Sequence, residues 1–61
     1  MPWITINMLA GRSDEMKEKL HHDVTKTVSE VLKIPADAIA IQLVEMDHEN
    51  YSSGGVSPKK S

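Results

Sequence analysis

The sequence has 61 residues, a formal net charge of −2 and no cysteine. This length predicts one small domain over residues 1–61, and the absence of cysteine excludes disulfides and thiolate metal sites. The small net charge and the scarcity of aromatic residues argue against a nucleic-acid surface, and no apolar run approaches the roughly 18 residues of a membrane span. We therefore expect a soluble, cytoplasmic protein that binds neither nucleic acid nor membrane and associates with copies of itself.

The first half of the chain predicts a strand followed by a long helix. Residues 2–9 alternate in polarity as a strand does, and Gly11 ends this pattern. Ser13 is a favourable N-cap for the helix that follows. The apolar stripe of this helix, with spacings of three and four, consists of Met16, Leu20, Val24, Val28, Val31 and Leu32. Pro35 is expected to end the helix.

The second half predicts another strand, over residues 38–46, that is apolar on both faces. A strand, a helix and a strand with short connections form a βαβ unit with two parallel strands, so the predicted fold class is α/β (α+β). One helix covers only one face of this sheet, so the other face is expected to meet another copy. Gly54-Gly55 predicts a short C-terminal hairpin or flap, and residues 57–61 a tail that is flexible or docks on a partner.

Pro2, directly after Met1, is the first candidate site residue. If Met1 is removed, Pro2 carries a secondary amine, and amino-terminal amines titrate near enough to neutral pH to act as general bases. Burial or neighbouring cations would favour the neutral, basic form further. If Met1 is retained, the Pro2 nitrogen is an amide and the residue merely begins an edge strand.

Arg12 lies at the predicted corner between the first strand and the helix. A guanidinium at this corner can clamp a carboxylate, or it can pair in solvent with Asp14 or Glu15. The histidines have poor spacing for metal ligands, so no metal site is expected. They are His21 and His22 on the helix and His48, a loop histidine between two acidic residues.

Each of the two aromatic residues allows two interpretations. Trp3 either forms an apolar wall beside Pro2 or is buried between subunits. Tyr51, next to the predicted flap, either lines a pocket or contacts another subunit.

Several of these features occur in one order along the chain: Pro2, then Gly11-Arg12-Ser13-Asp14-Glu15, then Glu45-Met46, Tyr51 and Gly54-Gly55. In order and spacing they resemble the 4-oxalocrotonate tautomerase family over nearly the whole chain up to Val56. The resemblance implies a βαβ fold, dimers that commonly assemble as hexamers (trimers of dimers), and no cofactor. It also implies that the amino-terminal proline, exposed by loss of methionine, interconverts a 2-hydroxydienoate and its 2-oxo isomer.

Carried onto this sequence, the resemblance implies that Pro2 is the general base and acid. It implies that Arg12, from a neighbouring subunit, holds the substrate carboxylate away from the reacting carbon. The expected apolar and aromatic lining residues are Trp3, Leu9 and Tyr51. The best-known members have a second arginine that polarises the 2-oxo group. Ala40 stands at that position here, and Gln42 on the same strand is an alternative donor.

The leading hypothesis is therefore an isomerase that acts on a small unsaturated 2-hydroxy or 2-oxo carboxylate. A second hypothesis, based on Ala40 and Met1, is a catalytically weak or inactive oligomeric binding or scaffold protein of the same fold. A third is a dehalogenase or hydratase, which needs an acidic group to activate water. Glu45 and Glu49 are candidates for that role only by their proximity in sequence.

Overall fold

The computed structural model describes residues 1–58, and the predicted βαβ unit is confirmed. Its elements are β1 (Trp3–Leu9), α1 (Asp14–Leu32) and β2 (Ala40–Met46), with single turns of 3₁₀ helix at Ala36–Ala38 and His48–Asn50. The two strands form a parallel pair whose register runs from Trp3 opposite Ala40 to Leu9 opposite Met46. The second strand begins later than predicted because the turn at Ala36–Ala38 occupies its first residues.

The N-terminus of α1 is capped as predicted. The Ser13 side chain accepts a hydrogen bond from the Met16 N–H at 3.1 Å, which satisfies one of the unpaired amides of the first turn. Asp14 and Glu15 place negative charge in that turn, where the helix dipole stabilises it.

The C-terminus of α1 differs from the prediction, because the helix ends at Leu32, before Pro35 is reached. Lys33 adopts a left-handed conformation with φ of 58°, and the Ile34 N–H donates to the Ser29 carbonyl at 3.2 Å. This arrangement is a Schellman motif in which a lysine occupies the position that glycine usually takes.

The helix covers one face of the sheet. Half-buried residues on that face of the strands are Ile4, Ile6, Met8, Ile41 and Leu43, and those of the helix include Leu20, Val24 and Val28. The ends of the predicted apolar stripe are not covered, since Met16, Val31 and Leu32 are all exposed. The helix is also tied to β2 by Lys17, whose ammonium lies 3.1 Å from the Glu45 carboxylate.

The other face of the sheet is open. Trp3 is 80% exposed on it, and among residues 1–58 no hydrophobic side chain is buried. The chain exposes 4841 Å², whereas a compact monomer of its mass of 6.8 kDa would expose about 3,950 Å². Its radius of gyration is 14.4 Å against about 10.5 Å for a compact domain of this length. A single chain therefore leaves uncovered the surface that a core would normally bury.

The predicted C-terminal hairpin is present as a tight turn. Ser53 and Val56 exchange two backbone hydrogen bonds, of 3.0 and 3.1 Å, around Gly54 and Gly55, which both have positive φ. Ser57 and Pro58 are half-buried. The rest of the predicted tail, residues 59–61, lies outside the described residues. Over the described part of the chain, α1 lacks the apolar length needed to cross a membrane.

Candidate active site at the two ends of the sheet

Pro2 lies at the beginning of the parallel pair. Its carbonyl accepts a hydrogen bond from the Ala40 N–H at 3.1 Å, and this first hydrogen bond between the two strands fixes its position. Pro2 is half-buried, while Met1 before it is 83% exposed. The bond between these two residues therefore lies at the protein surface, and the proline is held by the sheet on its carboxyl side.

A pocket of about 150 Å³, here called the N-terminal pocket, adjoins this end of the strands. Its lining residues are Trp3, Ile4, Thr5, Ala40, Ile41 and Gln42. In the register, Thr5 lies opposite Gln42, so both belong to the same open face as Trp3 and Ala40. Ala40 has no polar side-chain atom, and the side-chain hydrogen-bond donors among the lining residues are the Gln42 amide, the Thr5 hydroxyl and the Trp3 indole N–H.

The corner pocket lies at the opposite end of β1 and has a volume of about 280 Å³. Its lining residues are Leu9, Ala10, Gly11, Arg12 and His48. The Ala10 N–H donates to the Met46 carbonyl at 2.8 Å, which extends the ladder one residue beyond the strands. Gly11, with φ of 128°, then turns the chain in a conformation that side-chain-bearing residues rarely adopt. These two features bring Arg12 and His48 to one pocket.

Arg12 is exposed and makes no ion pair within residues 1–58. The structure therefore does not contain the alternative pairing of Arg12 with Asp14 or Glu15. Asp14 instead lies 3.8 Å from the Lys17 ammonium. The guanidinium is left with its donors available to a ligand.

The site residues predicted from the sequence do not meet within one chain. Seven steps along β1 separate Pro2 from Leu9, and at about 3.3 Å per residue this is about 23 Å. Trp3 lies with Pro2, whereas Leu9 and Arg12 lie at the far end. Tyr51 is 44% exposed and lines neither pocket. No small substrate can touch Pro2 and Arg12 of the same molecule.

Several other charged groups of the described chain pair with one another. Glu45 is held by Lys17 on the helix-covered side of the sheet, which removes it from the open face. On α1, a hydrogen bond from His22 and a second one from Lys19 lower the pKa of the exposed Asp23 carboxyl below its usual value. Residues 1–58 contain no cluster of three or more His, Cys, Asp or Glu side chains arranged to hold a metal.

His48 was predicted only as a loop histidine between acidic residues, and the structure adds that it lines the corner pocket. The signal that could have found it is the strand register. Once Leu9 is placed opposite Met46, the residues just beyond each strand end must be neighbours.

The chain is similar in sequence and in fold to known proteins. The family described as tautomerase enzyme matches residues 2–61. A probable tautomerase of Listeria innocua is 46% identical over 56 residues, 92% of each chain. The solved structure of YwhB, a homologue of 4-oxalocrotonate tautomerase, is 32% identical with a TM-score of 0.89 over 98% of both chains. A heterohexamer 4-oxalocrotonate tautomerase from Chloroflexus aurantiacus is 25% identical, with a TM-score of 0.91 over 98% of this chain and 97% of its own. The match over nearly the full length shows that this chain belongs to the tautomerase family.

Proposed function

We propose that the protein, after removal of Met1, is a cofactor-independent tautomerase of small unsaturated 2-hydroxy or 2-oxo carboxylates. The observation that carries this proposal is the position of Pro2, which is half-buried, fixed through its carbonyl and next in the chain to Trp3, a lining residue of the N-terminal pocket. In an assembly that covers the open face of the sheet, the neighbouring indole of Trp3 would lower the local polarity, which favours a neutral amine over an ammonium. In ketonisation such an amine removes the proton of the 2-hydroxyl group and delivers a proton to a carbon of the unsaturated chain, so no redox cofactor is required.

The second part of the proposal is that each active site combines at least two chains. Pro2 and Trp3 come from one, and Arg12 and Leu9 from its neighbour, because about 23 Å separates the two groups within a molecule. The open face of the sheet and the excess exposed area support such an assembly. A hexamer built as a trimer of dimers is the form we propose, in line with the heterohexamer among the structural relatives. Tyr51 is then proposed to reach a pocket wall in the assembly.

Arg12 is proposed to hold the substrate carboxylate that lies away from the reacting carbon. Its guanidinium has no ion-pair partner within residues 1–58, and a charge-assisted pair with a carboxylate would orient the substrate against the proline. At the developing enolate oxygen, Ala40 offers no donor. We propose Gln42, which lines the N-terminal pocket with Ala40, as the donor there. A neutral amide stabilises an oxyanion less than an arginine does, so a slow enzyme is expected.

Ketonisation of 2-hydroxymuconate by protein that begins at Pro2, verified by intact mass, tests the chemistry. We expect Pro2→Ala and Arg12→Ala each to abolish most of the activity. Full activity in the Pro2→Ala protein would exclude the proline-base mechanism. An inactive wild-type protein with Met1 removed would favour the binding or scaffold role instead.

Mixing the two inactive variants tests the shared site. If Pro2→Ala and Arg12→Ala chains are unfolded and refolded together in equal amounts, about a quarter of the sites receive both native residues by random assembly. Activity should therefore reappear at about that fraction of the wild-type value. A mixture that stays as inactive as its components, although mass spectrometry shows mixed oligomers, would contradict a site built from two chains.

A further inference from the structure

We infer that the ion pair between Lys17 and Glu45 positions Arg12 at the corner between β1 and α1. The inference rests on the proposed function, since the place of Arg12 matters to catalysis only if it holds a substrate for a neighbouring chain. It adds two positioning residues to that function, which act through Arg12 and not on the substrate. It also gives Glu45 a role other than the activation of water.

The corner itself is weakly held. Within residues 1–58, no backbone hydrogen bond involves Gly11 or Arg12, and both residues are exposed. Gly11 has a φ of 128°, which turns the chain but does not attach it to anything. The position of Arg12 therefore depends on the contacts that hold the chain on either side of the corner.

Both sides of the corner are attached to the end of β2. Before the corner, the Ala10 N–H donates to the Met46 carbonyl at 2.8 Å. After it, the Lys17 ammonium lies 3.1 Å from the Glu45 carboxylate. Glu45 and Met46 are consecutive residues, so the end of one strand fixes both ends of the segment that contains Arg12. If the ion pair is lost, only one of these two attachments remains.

The first turn of α1 connects Lys17 to Arg12. The Lys17 N–H donates to the Ser13 carbonyl at 3.1 Å, and the Ser13 side chain accepts from the Met16 N–H at 3.1 Å. Ser13 directly follows Arg12 in the chain. A displacement of this turn relative to β2 would therefore move the guanidinium with it.

This ion pair is shielded better than the other lysine–aspartate or lysine–glutamate contacts of the helix. The side chains of Lys17 and Glu45 are 25% and 32% exposed, whereas those of Lys19 and Asp23 are 77% and 54% exposed. A solvated pair is screened and contributes little to fixing a geometry, and a partly shielded pair is screened less. The pair between Lys19 and Asp23 is thus a natural control on the same helix.

The pair also keeps a carboxylate away from Arg12. Arg12 and Lys17 line a common cavity of about 180 Å³ under the start of α1, together with Met8, Met16 and Leu20. A Glu45 carboxylate released from Lys17 would lie near the guanidinium and could bind it. While Lys17 holds Glu45, Arg12 stays available to a ligand.

Glu45→Gln removes the pair and leaves no free carboxylate that could bind Arg12. In the assembled protein that begins at Pro2, KM for 2-hydroxymuconate should rise up to about fivefold, the most that a partly exposed ion pair contributes. The rate constant kcat should hold, because a displaced Arg12 weakens binding of substrate and transition state alike. Lys17→Arg keeps the pair and should behave as the wild type does. In an Arg12→Ala background, Glu45→Gln should have no further effect.

Nuclear magnetic resonance measures the positioning without substrate. The backbone order parameters of Gly11 and Arg12 should be about 0.85 in the wild type, as in rigid backbone, and fall towards about 0.6 in Glu45→Gln. Those in the middle of α1 should not change. The matched control is Asp23→Asn, the same acid-to-amide change in the exposed pair with Lys19. It should leave both the order parameters and KM unchanged.

The inference is overturned if Glu45→Gln leaves Gly11 and Arg12 as ordered as in the wild type. A uniform loss of order along α1, an effect on KM that persists without Arg12, or an equal effect of Asp23→Asn would overturn it too, since each indicates a merely structural role. Because the order parameters need no turnover, a protein that does not ketonise 2-hydroxymuconate but loses order at Arg12 in Glu45→Gln would refute only the proposed reaction.

Discussion

Replacing Trp3 by alanine should dissociate the assembly while having little effect on an isolated chain. Trp3 is 80% exposed in the single chain, so its indole makes few contacts that the substitution could remove. In an oligomer that buries the open face of the sheet, the same indole would be enclosed. The change therefore distinguishes stability that arises within one chain from stability that arises between chains.

The magnitude follows from the exposed area. A buried aromatic side chain covers roughly 200 Å², and at the observed exposure about 160 Å² of Trp3 remains to be covered by a neighbour. At about 25 cal/mol per Å², this amounts to about 4 kcal/mol per chain. A loss of that size weakens association by about three orders of magnitude.

Sedimentation velocity and thermal unfolding, each measured over a range of protein concentrations, provide the assay. The wild type should sediment as an oligomer at micromolar concentration, and its unfolding temperature should rise with concentration. Trp3→Ala should dissociate under the same conditions and unfold at lower temperature, whereas Trp3→Phe should keep most of the assembly. A wild type that sediments as a folded monomer, or a Trp3→Ala protein with unchanged sedimentation and unfolding, would refute the reasoning.

Three further substitutions test the local interpretations. Ser13→Ala removes the cap of α1 and should lower the free energy of unfolding by about 1 kcal/mol at fixed protein concentration, with Ser13→Asp retaining it. Lys33→Gly removes the strain of a lysine in the left-handed conformation. After the extra chain entropy of glycine in the unfolded state is subtracted, the free energy of unfolding measured in urea should rise by about 0.5 kcal/mol. Ala40→Arg places a cation in the N-terminal pocket and should raise kcat for 2-hydroxymuconate at least tenfold, whereas Ala40→Leu should not; equal rates in both variants would show that no cation is missing.

The first strand and the start of the helix were predictable from the sequence. Alternation identified the first strand, and a serine before an acidic turn identified the start of the helix, because both signals act over a few neighbouring residues. The end of the helix was less predictable. A glycine at position 33 would have marked a Schellman motif, and a lysine there carries no such signal although the backbone conformation is the same.

Features that depend on distant contacts could not be predicted in the same way. The spacing of Met16, Val31 and Leu32 is that of a buried stripe, but whether each is covered depends on how far the sheet extends beneath the helix. The meeting of Arg12 and His48 depends on the register of two strands that are separated by α1 along the chain. Local periodicity contains no information about that register.

The arrangement of the candidate site also explains why so small a chain leaves its sheet open. A pocket between two chains needs apolar surface on each of them, and a monomer that buried that surface in its own core would have none to offer. The candidate site residues Pro2 and Arg12 lie at opposite ends of β1. A second copy can therefore place its Arg12 near the Pro2 of the first without any change in fold. In the assembly that we propose, association would create the core and the active site in one step. Substitutions such as Trp3→Ala should consequently reduce activity and assembly together, whereas Arg12→Ala should reduce activity alone.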